Sequence, residues 1–385
     1  MRQRAEALQL VPAPPPAIRV ECIDTLWRLS ALGPQWDELL RASAADGPFL
    51  TWEWLHAWWT HLHEAAALNV LVVRDGTELI AIAPLMITPG VIPGLSRLEF
   101  LGAGHAGSDY LDLIVRTGRE ADALGALARF LQTRKMAMRL DHLREGSLGT
   151  RLAERLALGG WAASVGPGGI CPVIPLAGHT WDSYLATLGS AHRANVRRRL
   201  RAAGQQFQMR FEQVTSEPLR REALEALGRF HQQRFGAAGG STAFLTPALR
   251  AFQDDATRRA LAGGWLRMYV LWLNDAPAAV MYGFFYNRQF YFYQHGFDER
   301  YGRNSVGLVV MALTIRAAIE EGAEAFDLLW GEEPYKWLWT RDTRTLAQVQ
   351  LFQPGVAGWI HERVIETRRR LGRLARRVSG NARAA

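Results

Sequence analysis

The sequence predicts a mixed α/β fold, α+β sheets in two consecutive units of like order, and three observations lead there. A chain of 385 residues exceeds one small domain and suits two of about 150 to 200 residues. Two hairpins stand out: LNVLVVRDGTELIAIAPLMI turns at Asp75-Gly76, and LRMYVLWLNDAPAAVMYGFFY turns at Asn274-Asp275, each a two-residue turn between apolar runs. Around each hairpin the same order recurs: strand, two helices, hairpin, strand, helix, strand.

Taken in order, residues 1–17 (MRQRAEALQLVPAPPPA) are Pro-rich, lack the apolar core and small-residue cleavage site of a secretory signal, and are expected to be a disordered leader. The first unit, residues 18–166, opens with IRVECID as a strand. Amphipathic helices follow around Trp36–Leu40 and Trp52–Leu62, then the first hairpin, LEFLGAG and DYLDLIV as strands, a helix over about 120–133, and MRLDHL as a short strand. A connecting segment, residues 167–204, begins in a Gly/Pro cluster with Gly166, Pro167, Gly168 and Gly169. The second unit, residues 205–354, starts with RFEQV, adds helices over 219–235 and 246–262, the second hairpin, QFYFYQHGF as a strand, and a long helix from about Ser305 to Glu321. Residues 355–385 close the chain.

Net charge is +8, and it is concentrated in two blocks. In HRANVRRRLRAAG, Arg193, Arg197 and Arg201 form a stripe at i, i+4 spacing beside an apolar strip of Val196, Leu200 and Ala203. In 355–385, Ile360, Val364, Leu371, Leu374 and Val378 recur at helical spacings among arginines, which reads as a basic amphipathic helix suited to peripheral contact with a membrane's inner face. Solvated helix faces explain both blocks as well as an anionic substrate, a lipid surface or RNA does. Fourteen tryptophans, several in WEWLHAWW and KWLWT, fit buried packing first and a groove second. Cys22 and Cys171 have no partner at metal spacing, so no metal and a reduced cytoplasmic location are expected. No apolar run approaches the roughly 20 residues of a membrane-spanning helix.

The chemistry concentrates between Phe290 and Thr340. Asn304 or Ser305 is placed to cap the long helix, and Gly307 lets backbone approach a ligand, so the helix start offers free N–H groups and a positive dipole end to an anion. A capped crossover helix of any α/β unit has the same features. AEAFDLLWG reads as a buried strand, and Glu332, Glu333 and Pro334 as a turn carrying Tyr335 and Lys336 to the strand's C-terminal edge, where open α/β sheets bind ligands.

PFLTWEWLHAWW (48–59), LIAIAPL (79–85), SDYLDLIV (108–115), HRANVRRRLR (192–201), NSVGL (304–308) and FDLLWGEEPYKWLWT (326–340) together carry a resemblance. The second half resembles GNAT-type acyltransferases, and the chain from Ile18 to Phe352 looks like the CelD/BcsL-type acetyltransferases associated with bacterial cellulose biosynthesis, relatives of the FemAB aminoacyl transferases. The resemblance implies two tandem GNAT-like acyl-CoA N-acyltransferase domains. It implies transfer from a thioester or aminoacyl ester to an amine or hydroxyl, with acetyl-CoA as donor, no metal, and a small-molecule or glycan-precursor acceptor. The usual pyrophosphate loop is replaced by ERYGRNSVG, which keeps aminoacyl-tRNA open as an alternative donor; a non-catalytic scaffold of a polysaccharide-synthesis complex is the third reading. Candidate catalytic residues are Glu332, Tyr335, Lys336 and His295, with Tyr335 to protonate a leaving thiolate. Donor-binding candidates are Gly296, Phe297, Arg303, Asn304, Ser305 and Gly307, with Gly296 as the residue that splays the sheet. Asp109, Tyr110, Arg193 and Arg197 are candidates for the acceptor. Asp327 is read as a cap or a partner of Lys336. The first unit, whose LGAGHAGSDY has no helix start like NSVGL, is expected to be a support.

Overall fold

A computed structural model describes residues 18–90, 95–104, 106–235, 243–355, 358, 359 and 363. The leader, 1–17, and nearly all of the basic helix expected over 355–385 lie outside the described residues. The first half runs β1 (Arg19–Ile23), α1 (Leu26–Ala31), α2 (Gly33–Arg41), α3 (Trp52–Leu62), β2 (Ala67–Leu68), β3 (Val70–Asp75), β4 (Glu78–Ala83), β5 (Leu85–Pro89), β6 (Ser96–Phe100), β7 (Ile114–Val115), α4 (Glu120–Arg134), β8 (Ala137–Arg144) and α5 (Leu148–Leu158). There follow β9 (Ala162–Pro175), α6 (Trp181–Thr187) and α7 (Ser190–Gln206). The second half runs β10 (Met209–Gln213), α8 (Glu217–Phe235), α9 (Pro247–Ala262), β11 (Leu266–Leu273), β12 (Ala276–Tyr286), β13 (Gln289–Phe297), α10 (Val306–Glu320), β14 (Ala325–Asp327) and β15 (Thr343–Phe352).

Both hairpins form. The second turns at Asn274-Asp275, between paired Leu273 and Ala276, with φ of 50° and 60°, the left-handed pair that a two-residue turn needs to match strand twist. The first turns one residue later than read, at Gly76-Thr77 between paired Asp75 and Glu78, because Gly76 takes the positive φ. After β4 the chain changes sheet at Pro84, which has no N–H for a ladder: β3 and β4 belong to a four-stranded sheet, order β1-β3-β4-β7, whereas β5 joins an eleven-stranded one.

That larger sheet has the order β10-β11-β12-β13-β14-β9-β15-β8-β6-β5-β2 and spans both halves. Its pairs are antiparallel apart from β13 with β14 and β6 with β8. The exchange lies at its centre. β15, from the end of the chain, lies between β9 and the first half's β8, and β9 pairs with β15 from Ala162 to Pro172 and with β14 from Val173 to Pro175. The expected junction at 166/167 thus falls inside a strand rather than in a linker. Its glycines serve the strand: a bulge leaves Gly168 unpaired between Leu346↔Gly169 and Ala347↔Pro167, where a Cβ would stand 2.7 Å from the Ala347 carbonyl oxygen. At Gly169, φ is 118° and a Cβ would stand 2.2 Å from the Trp330 indole nitrogen. A Gly cluster reads as a loop, and here its lack of side chains is what lets two neighbours close over the strand.

The core runs through the junction. Thr51 caps α3 by accepting from the Trp54 N–H. Trp54, wholly buried, meets Phe49 of its own half and Phe252, Phe284 and Tyr293 of the other at centroid distances of 5.0–5.5 Å. Its indole N–H donates to Ser108 Oγ at 2.9 Å. Edge-on aromatic contacts of this kind add to an already large burial term. Because one sheet and one aromatic cluster serve both halves, the protein is expected to melt in a single calorimetric transition. Trp54→Ala should lower stability by about 3–5 kcal/mol without splitting the transition; two resolved transitions in the unmodified protein would contradict the shared core.

Candidate functional site

The site begins where two parallel strands part. β13 pairs with β14 only over Gln289–Tyr291 against Ala325–Asp327. Beyond Tyr291 the register between β12 and β13 shifts: Gly283 faces Phe292 and Tyr282 faces Gln294, so Tyr293 is the extra residue of a bulge. A bulge bends its strand and increases the local twist, which carries the rest of β13 away. The chain after β14 stays with β9 instead, the Leu328 N–H donating to Pro172 O at 2.9 Å and the Gly331 N–H to Ile170 O at 3.2 Å. A gap therefore opens between β13 and the segment 328–335. The splaying belongs to the bulge and not to Gly296, whose missing side chain makes room for α8: a Cβ there would stand 2.9 Å from Leu227 and 3.1 Å from Phe230.

The extra residue also decides which side chains face which way. Phe290 and Phe292 stack on Phe326 in the core beneath α10, at 4.5 and 6.4 Å. Without the bulge His295 would fall on the opposite face from Phe292. With it, His295 lies 5.3 Å from the Phe292 ring and 5.7 Å from the Tyr335 ring, across the gap. Tyr291 and Tyr293 face the first half, where the Tyr293 hydroxyl donates to Ala106 O.

At the end of β13, Phe297 meets the start of α10, where a Cβ on Gly307 would stand 3.2 Å from the Phe297 ring, a tight contact that the ring would have to yield to. The segment Glu299–Asn304 is a 3-10 turn held by Asp298, which accepts from the Arg300 N–H at 2.9 Å and from its guanidinium at 2.7 Å. The capping expected of Asn304 or Ser305 does not occur. Ser305 occupies the N-cap position at φ 59° without a side-chain bond, and Asn304 donates to Gln206 Oε1 at 3.0 Å. The first N–H groups of α10 are thereby left without a side-chain cap. Arg303 is exposed, and its carbonyl accepts from Arg199 at 3.0 Å. Arg199 of α7, outside the expected stripe, is the arginine anchored at this loop. Arg193 bonds Ala186 O at 3.0 Å, and exposed Arg197 is 3.8 Å from Asp182.

Lys336 is buried, and its Nζ donates to Leu329 O at 3.1 Å and Trp330 O at 2.9 Å and pairs with Glu333 at 2.9 Å. It ties the 328–335 segment into shape. Its acidic partner is Glu333 rather than Asp327, and Glu332 is exposed on the turn.

Behind the gap, toward the first half, lies a cluster that binds the halves together. Fully buried Asp327 accepts from the Tyr110 hydroxyl at 2.6 Å, Arg344 at 2.8 Å and the Leu329 N–H at 2.9 Å. Burial raises the Asp327 pKa, and Arg344 and Tyr110 pull against that rise. Asp109, also buried, accepts from His142 Nδ1 at 2.7 Å and the Trp330 N–H at 2.8 Å. Asp109 and Tyr110 therefore engage groups of the protein itself, whereas they were expected to meet the acceptor. They still form one wall of a pocket of about 290 Å3, together with Phe49, Asp112, Arg144 and Tyr291. The Arg144 guanidinium sits 4.5 Å over the Tyr110 ring. Asp112 accepts from the N–H groups of Leu148 and Gly149 at the start of α5, and burial outweighs those bonds, lifting its pKa to about 6. His142 and Arg344 carry no sequence signal: one is a lone histidine in a short strand, the other one arginine of many.

Residues 190–337 match the model of the acetyltransferase (GNAT) domain. No curated protein matches the chain. The crystal structure of FemX is similar over 84% of this chain and 96% of that one, with TM-score 0.59 and 10% identity. The C-terminal domain (DUF2156) of a putative lysylphosphatidylglycerol synthetase from Agrobacterium fabrum is similar over 85% and 92%, at 0.52 and 12%. L-PGS from Bacillus licheniformis is similar over 88% and 96%, at 0.51 and 13%. At such identities the likeness is one of fold, mixed α/β and GNAT-like.

Two outcomes check this geometry. Lys336→Met removes the donor from the buried Leu329 carbonyl and from the half-buried Trp330 one, and at about 1–3 kcal/mol for an unsatisfied buried group it should lower the melting temperature measurably; an unchanged one would show that the tie is dispensable. Asp112 has its folded-state pKa raised from 3.8 to about 6. Its contribution to stability is therefore complete below pH 3.8 and is lost as pH rises through about 6, roughly 3 kcal/mol in all. Denaturant melts of Asp112→Asn should show a flatter dependence across that window.

Proposed function

We propose that the protein is an acyltransferase whose donor lies in the gap between β13 and the 328–335 segment, with acetyl-CoA as donor and an amine or hydroxyl of a small polar or glycan-precursor molecule as acceptor. The observation that carries this is the juxtaposition of a parted parallel strand pair with the uncapped start of α10. The edge of β13 that turns away from β14 presents its main chain toward an extended acyl-bearing arm, and the helix start offers N–H groups and a positive dipole end to its phosphates. The match of 190–337 to the acetyltransferase domain model covers both elements. In this reading the acceptor approaches from the first half's side and meets the acyl carbon from the face opposite α10. Direct attack in a ternary complex needs an oriented nucleophile, a route for its proton and hydrogen bonds to the oxyanion. The β13 edge around Gln294–Phe297 supplies the last, and Tyr335 is the group placed across the gap to protonate the leaving thiolate.

A second reading, aminoacyl transfer from aminoacyl-tRNA, is favoured by one feature: exposed arginines on α7, among them Arg197, Arg198 and Arg201, on the helix that contacts the turn ahead of α10.

Calorimetric titration with acetyl-CoA, and with desulfo-CoA as a control for thiol chemistry, decides between them. Micromolar binding is expected. Ser305→Asp keeps a residue type that tolerates the left-handed backbone while placing a negative charge at the helix start, so it should weaken binding at least tenfold, about 1.4 kcal/mol. Absence of binding at millimolar acetyl-CoA, with salt-sensitive tRNA binding instead, would move the assignment to the second reading.

A further inference from the structure

The acyl-transfer reading leaves the acceptor's proton without a base. His295 sits on the α10 face with the donor, and Glu332 is exposed on the turn. The geometry points to His142, oriented by Asp109, as the base that takes this proton; the inference rests on the acyl-transfer reading and deepens it.

Four observations support it. Asp109 holds the ring by Nδ1 at 2.7 Å, which fixes the tautomer and leaves Nε2 as the nitrogen for a substrate. Asp109 is almost fully buried while the His142 side chain is 25% exposed, so the carboxylate cannot exchange its partner for water but the imidazole can be reached. The other Asp109 oxygen holds the Trp330 N–H at 2.8 Å, and the His142 ring packs edge-on against Trp330 at 5.6 Å. Trp330 belongs to the segment that walls the donor gap, so the pair is locked to the donor's own wall. Finally, His142 stands at φ 59° where β8 bulges against β15, two residues, Asp141 and His142, opposing Gln348 alone. Tyr110 and Leu329, beside the pair, also take positive φ, 60° and 56°. Left-handed backbone at non-glycine residues is costly, and its clustering here holds the ring where a regular strand would not place it.

The charges around the ring are Asp109 from the segment before β7, and Asp141 and Arg139 on its own strand; Trp330 brings none. Burial alone would lower the imidazole pKa, but Asp109 and Asp141 outweigh it and the net shift is upward.

The step balances without a co-reactant. The acceptor X–H attacks the acyl carbon, the C–X bond forms, and the proton passes to His142 Nε2. Collapse then breaks the C–S bond of a thioester or the C–O bond of an aminoacyl ester, Tyr335 gives its proton to the leaving sulfur or oxygen, and the proton held by His142 passes through water to restore the Tyr335 hydroxyl. Asp109 positions the ring and does not touch substrate.

The test uses the full chain with acetyl-CoA or a mixed aminoacyl-tRNA pool as donor and hydroxylamine as a small acceptor. His142→Gly suits the left-handed backbone better than histidine does, which offsets part of what buried Asp109 loses with its Nδ1 partner, so the variant should fold with a lowered melting temperature and keep the donor affinity of the unmodified protein. Its turnover should fall by about 10²–10⁴-fold, and added imidazole should restore part of it. In the unmodified protein kcat/KM should rise with pH through a pKa above the ordinary histidine value, and that limb should vanish in His142→Gly. Turnover within twofold of the unmodified protein, or a pH limb that survives the substitution, would overturn the base while leaving the acyl-transfer reading intact. If the unmodified protein transfers from neither donor, the two fall together.

Discussion

Asp327 is the constraint on which the rest of the structure turns. A carboxylate with no access to water is tolerated only where charge and hydrogen bonds compensate its lost hydration. Its compensation comes from three places in the sequence: Tyr110 in the first half, the Leu329 N–H in its own segment, and Arg344 on the strand that inserts between β9 and β8. Each partner is a structural commitment. Tyr110 brings the first half against the end of β14, Arg344 fixes β15 in the middle of the shared sheet, and Leu329 takes a left-handed backbone beside it. The residue also marks the last rung of parallel pairing, since β13 and β14 part immediately after Tyr291 and Asp327. The cluster that joins the halves and the opening of the gap are thus one feature.

The bulge at Tyr293 gives that opening two distinct faces. One extra residue bends β13 and also inverts the alternation of side chains beyond it. Aromatic residues before the bulge that face α10 are continued by His295, while Tyr291 and Tyr293 close the first half's side. A straight strand would have placed His295 under the first half and kept β13 beside β14. The separation of a donor face from an acceptor face, central to the proposed chemistry, follows from a single inserted residue.

The sequence made the elements legible wherever local physics decides them. Asn274-Asp275 adopts the turn its residue types favour, α3 begins at Thr51 ahead of an apolar helix, and the second half follows the order read for it before adding β15, whereas the first carries α1, β2, β5 and α5 besides. What sequence reasoning missed is decided between distant segments. Gly166–Gly169 have the composition of a linker, and only the approach of Ala347 and Trp330 explains them as a strand. Lys336 was singled out because it lies in the loop that carries the resemblance, and what no local pattern showed is that its Nζ is held by Glu333 and by carbonyls of its own segment. Asp109 and Tyr110 were singled out for the acceptor, yet their partners His142, Asp327 and Arg344 come from segments that no local pattern joins. Ser305 and Asn304 have capping chemistry, but the 3-10 turn held by Asp298 delivers the chain to α10 in a left-handed step that points neither side chain at the helix.

The strand exchange changes what the first half can be. As a mere support it would need an apolar face against the second half and nothing more. Here it supplies β8, on which β15 is laid down, and it supplies Asp109, which takes the Trp330 N–H at the wall of the gap. That bond gives the buried Asp109 carboxylate its second partner, and a buried acceptor left unsatisfied costs about 1–3 kcal/mol. A ligand that shifts Trp330 would act on Asp109 and on the ring it holds. In the proposed reading the first half is thereby a working part of the site, with Asp109 as one of its links to the 328–335 segment.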